Sequence, residues 1–110
     1  MPYSNEEKIR ALGVAASSLE KFGAVSEQVA LEMAEGARRA SQATHSIATT
    51  GIAGPSGGTS EKPVGTAFIA IASISQAPIC RKFFLPTDRE TFKQLLAQNA
   101  FDLLRRRLLG

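Results

Sequence analysis

Two groups of residues in this 110-residue chain have the types and spacing to do chemistry. The first is Thr49-Thr50-Gly51-Ile52-Ala53-Gly54-Pro55-Ser56-Gly57-Gly58-Thr59-Ser60-Glu61-Lys62, which holds four of the nine glycines. Glycine reaches positive φ without a Cβ clash, so successive backbone amides can converge on an anion or an oxyanion. Thr50, Ser56, Thr59 and Ser60 add hydroxyls, and Lys62 adds a positive charge. The run is not a P-loop, because no Gly-Lys-Ser/Thr closes it, and a strand rather than a helix is expected to follow. The second point also excludes a dinucleotide-binding fingerprint. A flexible connector has the same composition, and that reading stands beside the anion-binding one. The second group is Tyr3 and Lys8. Tyr3 precedes a helix cap and Lys8 ends the first turn, so the two can share one side. A tyrosine and a desolvated, partly neutral lysine can activate a serine hydroxyl. The bland alternative is a solvated lysine in an N-terminal helical turn, an unfavourable place for a cation.

Other chemistries are excluded by counting. Cys80 is the only cysteine, so neither an intrachain disulfide nor a cysteine-based metal site can form. It reads as a reduced thiol on a strand, which fits a reducing cytoplasm. His45 is the only histidine, which excludes a histidine-cluster metal site and leaves a Ser-His-Asp enzyme without a motif. Thirteen Lys and Arg against ten Asp and Glu give a net charge of +3, too mild an excess to point to nucleic acid. Arg105, Arg106 and Arg107 read as a solvated helix terminus, where positive charge suits the helix dipole. The first residues hold no apolar h-region, so no secretory leader is expected. Val64 to Ile74 is too short to span a bilayer, and no membrane partner is expected. Apolar residues at 44% and charged residues at 21% are those of one globular domain.

The elements that must position these groups follow from period and punctuation. Ser4-Asn5-Glu6-Glu7 is a capping box and predicts a short helix to about Leu12, broken at Gly13. Ser17 and Ser18 offer a second cap for a turn over Leu19 to Phe22, closed by Gly23 at a left-handed position. Val25-Ser26-Glu27 restarts the chain as a longer helix. Val29, Ala30, Met33, Ala34, Ala37 and Ala40 form its apolar stripe, and Glu27, Glu32, Glu35, Arg38 and Arg39 fall on the solvated side. Ser46 to Thr50 reads as a buried strand. Val64 to Ile74 reads as a central strand covered on both faces. Ile79 to Leu85, flanked by Pro78 and Pro86, reads as a strand near the sheet edge, joined to the previous one as an antiparallel hairpin. Thr87-Asp88-Arg89-Glu90 is a second capping box. The helix after it is marked by Phe92, Leu95, Leu96, Asn99, Ala100, Leu103, Leu104 and Leu108.

Together these residues carry a family resemblance. Tyr3-Ser4-Asn5-x-x-Lys8, Leu12-Gly13-Val14, Gly23-Ala24-Val25-Ser26-Glu27, Met33-Ala34-x-Gly36-Ala37, Thr50-Gly51-Ile52-Ala53-Gly54-Pro55-x-Gly57-Gly58-Thr59 and Lys62-Pro63-Val64-Gly65-Thr66 occur in one ordered string. The string resembles the CinA C-terminal domain family, which includes nicotinamide mononucleotide deamidases. Two places depart from the family pattern. Ala43-Thr44 stands where Ala-Asp is usual, and Pro86-Thr87-Asp88-Arg89 stands where Gly-Asp-Arg is usual.

The resemblance implies an α/β fold of three layers, α/β/α, with a mixed sheet, and hydrolysis of nicotinamide mononucleotide to nicotinic acid mononucleotide and ammonia. It implies an acyl-enzyme on a serine, with Lys8 as base and Tyr3 as its partner. Thr50, Gly51, Gly54 and Gly57 would line the substrate side, and Arg89 would meet the phosphate. No metal or organic cofactor is implied. The family's nucleophilic serine lies in an Ala-Glu-Ser-Cys-Thr-Gly-Gly segment ahead of the Tyr-Ser-Asn motif, accompanied by the first strand and helices. The 110 residues do not contain that segment. The chain therefore reads as one N-terminally incomplete domain, 1–110, expected to be inactive by itself. The alternative is a non-catalytic remnant that binds a nucleotide or assembles with partners. Sheet surface left uncovered by the absent segment, together with the resemblance, leads to an expected homo-oligomer.

Overall fold

The structure is a computed structural model and describes residues 13–53, 59 and 62–109. Tyr3, Lys8, the helix expected up to Leu12, Gly54 and Gly57 lie outside the described residues. The elements are α1 (Ala16–Phe22), α2 (Glu27–Ser41), β1 (His45–Gly51), β2 (Thr66–Ser73), β3 (Ile79–Phe84) and α3 (Arg89–Leu109).

β2 lies between β1 and β3 and runs antiparallel to both. All eight of its residues are buried, because a helix covers each face. Side chains alternate across a strand, so β2 feeds two cores. Phe68, Ala70 and Ala72 join Ala48 against Val29, Ala30, Met33 and Ala34 of α2. Ile69 and Ile71 face the other way, against Ala100 and Leu103 of α3. Alanine on both sides of the first interface lets α2 sit close to the sheet. Ile69 and Ile71 are wholly buried, and each contributes on the order of 1.5–3 kcal/mol to the second core. The expected α/β/α layering is therefore present, with the strands and the two long helices close to their expected places.

Several expectations are corrected in detail. Among the described residues the sheet is antiparallel throughout, not mixed. β1 and β2 are antiparallel neighbours, and the residues that flank them close on each other, with Ile52 N–H donating to Thr66 O at 2.9 Å and Gly65 N–H to Ile52 O at 2.7 Å. Parallel neighbours would need a crossover connection. β1 is only partly buried, since one of its edges carries no partner strand among the described residues. Ser17 and Ser18 do not cap α1, whose N-cap is Ala15 with no side-chain cap. Ser18 lies within the helix and donates to Glu32 instead. Gly23 has positive φ, 80°, but ψ 163°, outside the left-handed helical region. The cap of α3 is Asp88, which accepts from Thr91 N–H at 3.0 Å and Thr91 Oγ1–H at 2.8 Å. The Thr87–Glu90 pairing is one residue out of register with it. Cys80 lies on β3 as expected.

Candidate functional site

The Gly-rich run leaves β1 at one end of the sheet, and that end is built around two glycines. Gly51 pairs with Ala67 on the α3 face. A Cβ there would lie 2.7 Å from Phe92 Cζ and 3.3 Å from Ala67 Cβ, so only glycine lets Phe92 seat the first turns of α3 on the strand. Gly65, at φ +102°, sits between the exits of β1 and β3. Its N–H donates to Ile52 O, and its carbonyl accepts from Leu85 N–H at 2.7 Å. A Cβ on Gly65 would come within 2.9 Å of the Leu85 and Pro86 backbone. The exits of β1 and β3, the entry of β2 and the start of α3 thus converge on one rim.

The side chains expected at this rim are divided by strand geometry. Thr50 pairs with Phe68, on the α2 face, so it points away from its neighbour Gly51. Thr50 is buried, and its hydroxyl donates to Ala24 O at 2.9 Å. Lys62 Nζ donates to Phe22 O at 2.5 Å, at the C-terminal end of α1 where positive charge is favoured. Thr59 and Lys62 close a small ring: Thr59 N–H donates to Lys62 O at 2.9 Å and Lys62 N–H to Thr59 Oγ1 at 3.0 Å. Arg89 is the exposed first residue of α3. The structure therefore brings Gly51 and the start of α3 together and turns the Thr50 hydroxyl and the Lys62 ammonium to another task.

That task involves a segment whose role sequence reasoning missed. The corner Phe22–Ser26 between α1 and α2 receives Lys62 at Phe22 O, Thr50 at Ala24 O and the Ser26 hydroxyl at Gly23 O, 2.8 Å. Ser26 Oγ in turn accepts from Val29 N–H at 3.3 Å and caps α2. Gly23-Ala24-Val25-Ser26 was visible as a motif. Nothing in its spacing said that both ends of the Gly-rich run would be tied to it.

A hydroxyl–carboxylate pair occurs elsewhere, between α1 and α2. Glu32 accepts from Ser18 Oγ at 2.5 Å, from Ala15 N–H at 2.7 Å and from Gln28 Nε2 at 2.6 Å. Burial pushes its carboxyl up, but these bonds, the Ser18 hydroxyl first, outweigh burial and hold it below its ordinary value. The carboxylate is spent on holding α1 to α2, not poised to take a proton. A shallow cavity of about 280 Å³ beside it is lined by Gly13, Gln28, Leu31, Glu32, Glu35 and Arg39. Burial, with Glu27 adding to it against the opposing Arg81, pushes the Cys80 thiol up to about 11. Asp102 is held low by Arg106 and Arg105, so two arginines of the terminal cluster have an in-helix partner, and Arg107 reaches the Ala77 carbonyl. Among the described residues no group of acidic, histidine or cysteine side chains could hold a metal, and no helix is long and apolar enough to cross a membrane.

A small α/β/α domain with a Gly-rich run entering its central strand is the class that this geometry defines. The profile of the CinA C-terminal domain matches residues 1–108, and the chain belongs to that family. A CinA-like protein of Desulforapulum autotrophicum is 52% identical over 107 residues, covering 97% of this chain and 25% of that protein. A putative competence-damage inducible protein of Acetivibrio thermocellus is 48% identical over 104 residues, again 25% of its length. The crystal structure of the competence/damage inducible protein CihA from Agrobacterium tumefaciens superposes with a TM-score of 0.91 at 37% identity, covering 96% of this chain and 64% of that one. The competence damage-inducible protein A of Klebsiella pneumoniae superposes equally well at 31% identity, with 66% of its chain covered. The chain thus spans about a quarter of the curated relatives it matches and about two thirds of these solved chains.

Proposed function

We propose that these residues form the larger part of a nicotinamide-nucleotide amidohydrolase domain, which converts nicotinamide mononucleotide and water to nicotinic acid mononucleotide and ammonia. In this reading the nucleotide lies along the rim at Gly51. Backbone amides of the Gly-rich run, Gly54 and Gly57 included, face its anionic groups, and Arg89 meets the phosphate. Lys8 is the base for a serine and Tyr3 is its partner. The observation that supports the reading is the convergence of both strand exits, the β2 entry and the start of α3 around Gly51 and Gly65. In open parallel α/β sheets ligands bind at the carboxyl ends of the strands, and in this antiparallel sheet the carboxyl ends of β1 and β3 are the ones at this rim. Thr50 enters as a positioning residue that fixes the rim through Ala24.

Acyl transfer needs a nucleophile beside its base, within about 2.6–3.2 Å in a productive complex. The family's Ser-Cys-Thr-Gly-Gly string is not among these 110 residues. They alone should release no ammonia from nicotinamide mononucleotide at an enzyme-like rate. A version extended by a family-type N-terminal segment should be active and should lose activity on Lys8→Ala. Turnover by the 110 residues that survives Ser4→Ala but not Lys8→Ala would show that another hydroxyl serves, and the inactive reading would be wrong.

A second reading, a domain that binds a nucleotide or assembles without catalysis, draws support from Thr50 and Lys62, whose polar atoms are engaged by the Phe22–Ser26 corner. Titration of the 110 residues with nicotinamide mononucleotide separates binding from charge. Amide shifts at Gly51 to Ala53 and at Arg89 support a nucleotide rim. Shifts confined to Arg105–Arg107 would mean that the anion reads surface charge only.

A further inference from the structure

Three consecutive carbonyls at the corner between α1 and α2 each accept from a side chain. Phe22 O receives Lys62 Nζ at 2.5 Å, Gly23 O the Ser26 hydroxyl at 2.8 Å and Ala24 O the Thr50 hydroxyl at 2.9 Å. Thr50 stands at the end of β1, and Lys62 precedes the return into β2. Lys62 follows Thr50 by 12 positions, a length of chain that spans about 40 Å when extended. Their side chains nevertheless end on carbonyls two residues apart. Gly23 makes room for the ammonium: a Cβ there would lie 3.4 Å from Lys62 Nζ, on a backbone at φ +80°. Among the described residues no carboxylate pairs with Lys62, so its charge is matched by the Phe22 carbonyl and the C-terminal end of α1.

The segment that begins at Lys62 is also bound to the rim. Pro63 O accepts from Thr66 N–H at 3.0 Å and from the Thr66 hydroxyl at 2.7 Å, while Gly65 N–H and Thr66 O hold Ile52. We propose that Lys62 is a positioning residue of this rim. Its ammonium pins the entry of β2 to the same corner that holds the exit of β1 through Thr50, and so it sets where Gly51 to Ala53 lie without touching the nucleotide. The pin rests on this geometry, and the identity of the ligand rests on the nucleotide reading of the rim. A lysine beside a Gly-rich run ordinarily offers its charge to a phosphate; here a phosphate would first have to draw it off the Phe22 carbonyl. Fixing both strand ends in the free chain orders the rim before a ligand arrives, which raises affinity by removing that cost from binding.

Lys62→Met keeps the length of the side chain and removes the ammonium. In the ligand-free 110 residues, amide exchange should then quicken at Thr59 and Gly65. The Gly23 and Ala24 amide shifts should move as well, in a corner that starts 40 residues away in sequence. Exchange and shifts equal to those of the unaltered chain would overturn the pin. Titration with nicotinamide mononucleotide and with nicotinamide riboside, which lacks the phosphate, separates positioning from contact. A positioning residue costs both ligands the same, roughly tenfold in Kd, and added propylammonium should recover much of the affinity lost in Lys62→Ala. A loss confined to the nucleotide and deepest at low salt would show that Lys62 meets the phosphate, and the proposal would be wrong. Affinities for both ligands that Lys62→Met leaves unchanged would also overturn it. If the unaltered chain binds neither ligand, the nucleotide reading of the rim fails, while exchange at Thr59 and Gly65 still decides whether Lys62 holds the rim.

Discussion

Glu32 is the residue whose chemistry the fold changes most. On sequence pattern it belongs to the solvated side of α2, yet it receives the Ser18 hydroxyl, the Ala15 amide and the Gln28 amide. Glu32→Ala should lower stability by about 1–2 kcal/mol, allowing for solvent at a partly buried site, and should loosen α1 selectively. Amide exchange across Ala16–Phe22 is the measurement. Its pH dependence has a fixed sign. A carboxyl held below its ordinary value, near 4.5, contributes fully above that value, and the contribution is lost as pH falls through the folded value. Stability of the unmodified chain should therefore decline below about pH 4.5, and Glu32→Gln should flatten that acid limb. Cys80 gives a second residue-scale prediction. With its thiol pushed up to about 11, alkylation at pH 8 should be much slower than for a free cysteine and should accelerate on unfolding in urea.

At the scale of elements, the sequence located α3 well and its cap imperfectly. The pattern Thr87-Asp88-Arg89-Glu90 announces a helix start, but two neighbouring residues can each cap, and only the path of the chain after Pro86 selects Asp88. Asp88→Ala should fray the first turn of α3, seen as faster exchange at Thr91 and Phe92, whereas Thr87→Ala should leave that turn intact. The fray should spread to Gly51, because Phe92 packs on it. Small apolar residues gave α2 and β2 their partners: Ala30 and Ala34 can meet Ala70 and Ala72 only where backbones approach closely. The α2 stripe was legible at Val29, Ala30, Met33 and Ala34. It ends before Ala40, which is exposed in the last turns of the helix.

At the scale of the whole molecule, β2 is shared by two cores, so the two faces should not unfold separately. Met33→Ala on the α2 face and Leu103→Ala on the α3 face should each cost about 2–5 kcal/mol, and each should lower the same urea midpoint. Loss of far-UV circular dichroism and of methyl NMR signals from both faces should coincide. Gly65→Ala acts at this scale as well, since it joins the exits of both outer strands. Strained φ and contacts of 2.9 Å with backbone should make it more damaging than Gly51→Ala, whose added methyl meets the far end of the Phe92 ring. Thermal denaturation of the two variants ranks them directly.

The residue order by itself determined the two-sided burial of β2, the helix periods and the Gly-rich run at a strand end, because apolar period and glycine placement are local properties. It also carried the motif string that marks the family, since that string is residue order and nothing else. Tertiary structure alone decided which atoms the polar groups meet. Thr50 and Gly51 are adjacent in sequence, but a strand turns neighbours to opposite faces, so one binds Ala24 and the other seats Phe92. Lys62 and Phe22 are 40 residues apart, and only the docking of α1 on α2, which sets the Phe22–Ser26 corner beside the end of β1, makes the carbonyl its partner. Hydrogen bonds of that range leave no period in a sequence, because they depend on where two elements come to rest rather than on what either one contains.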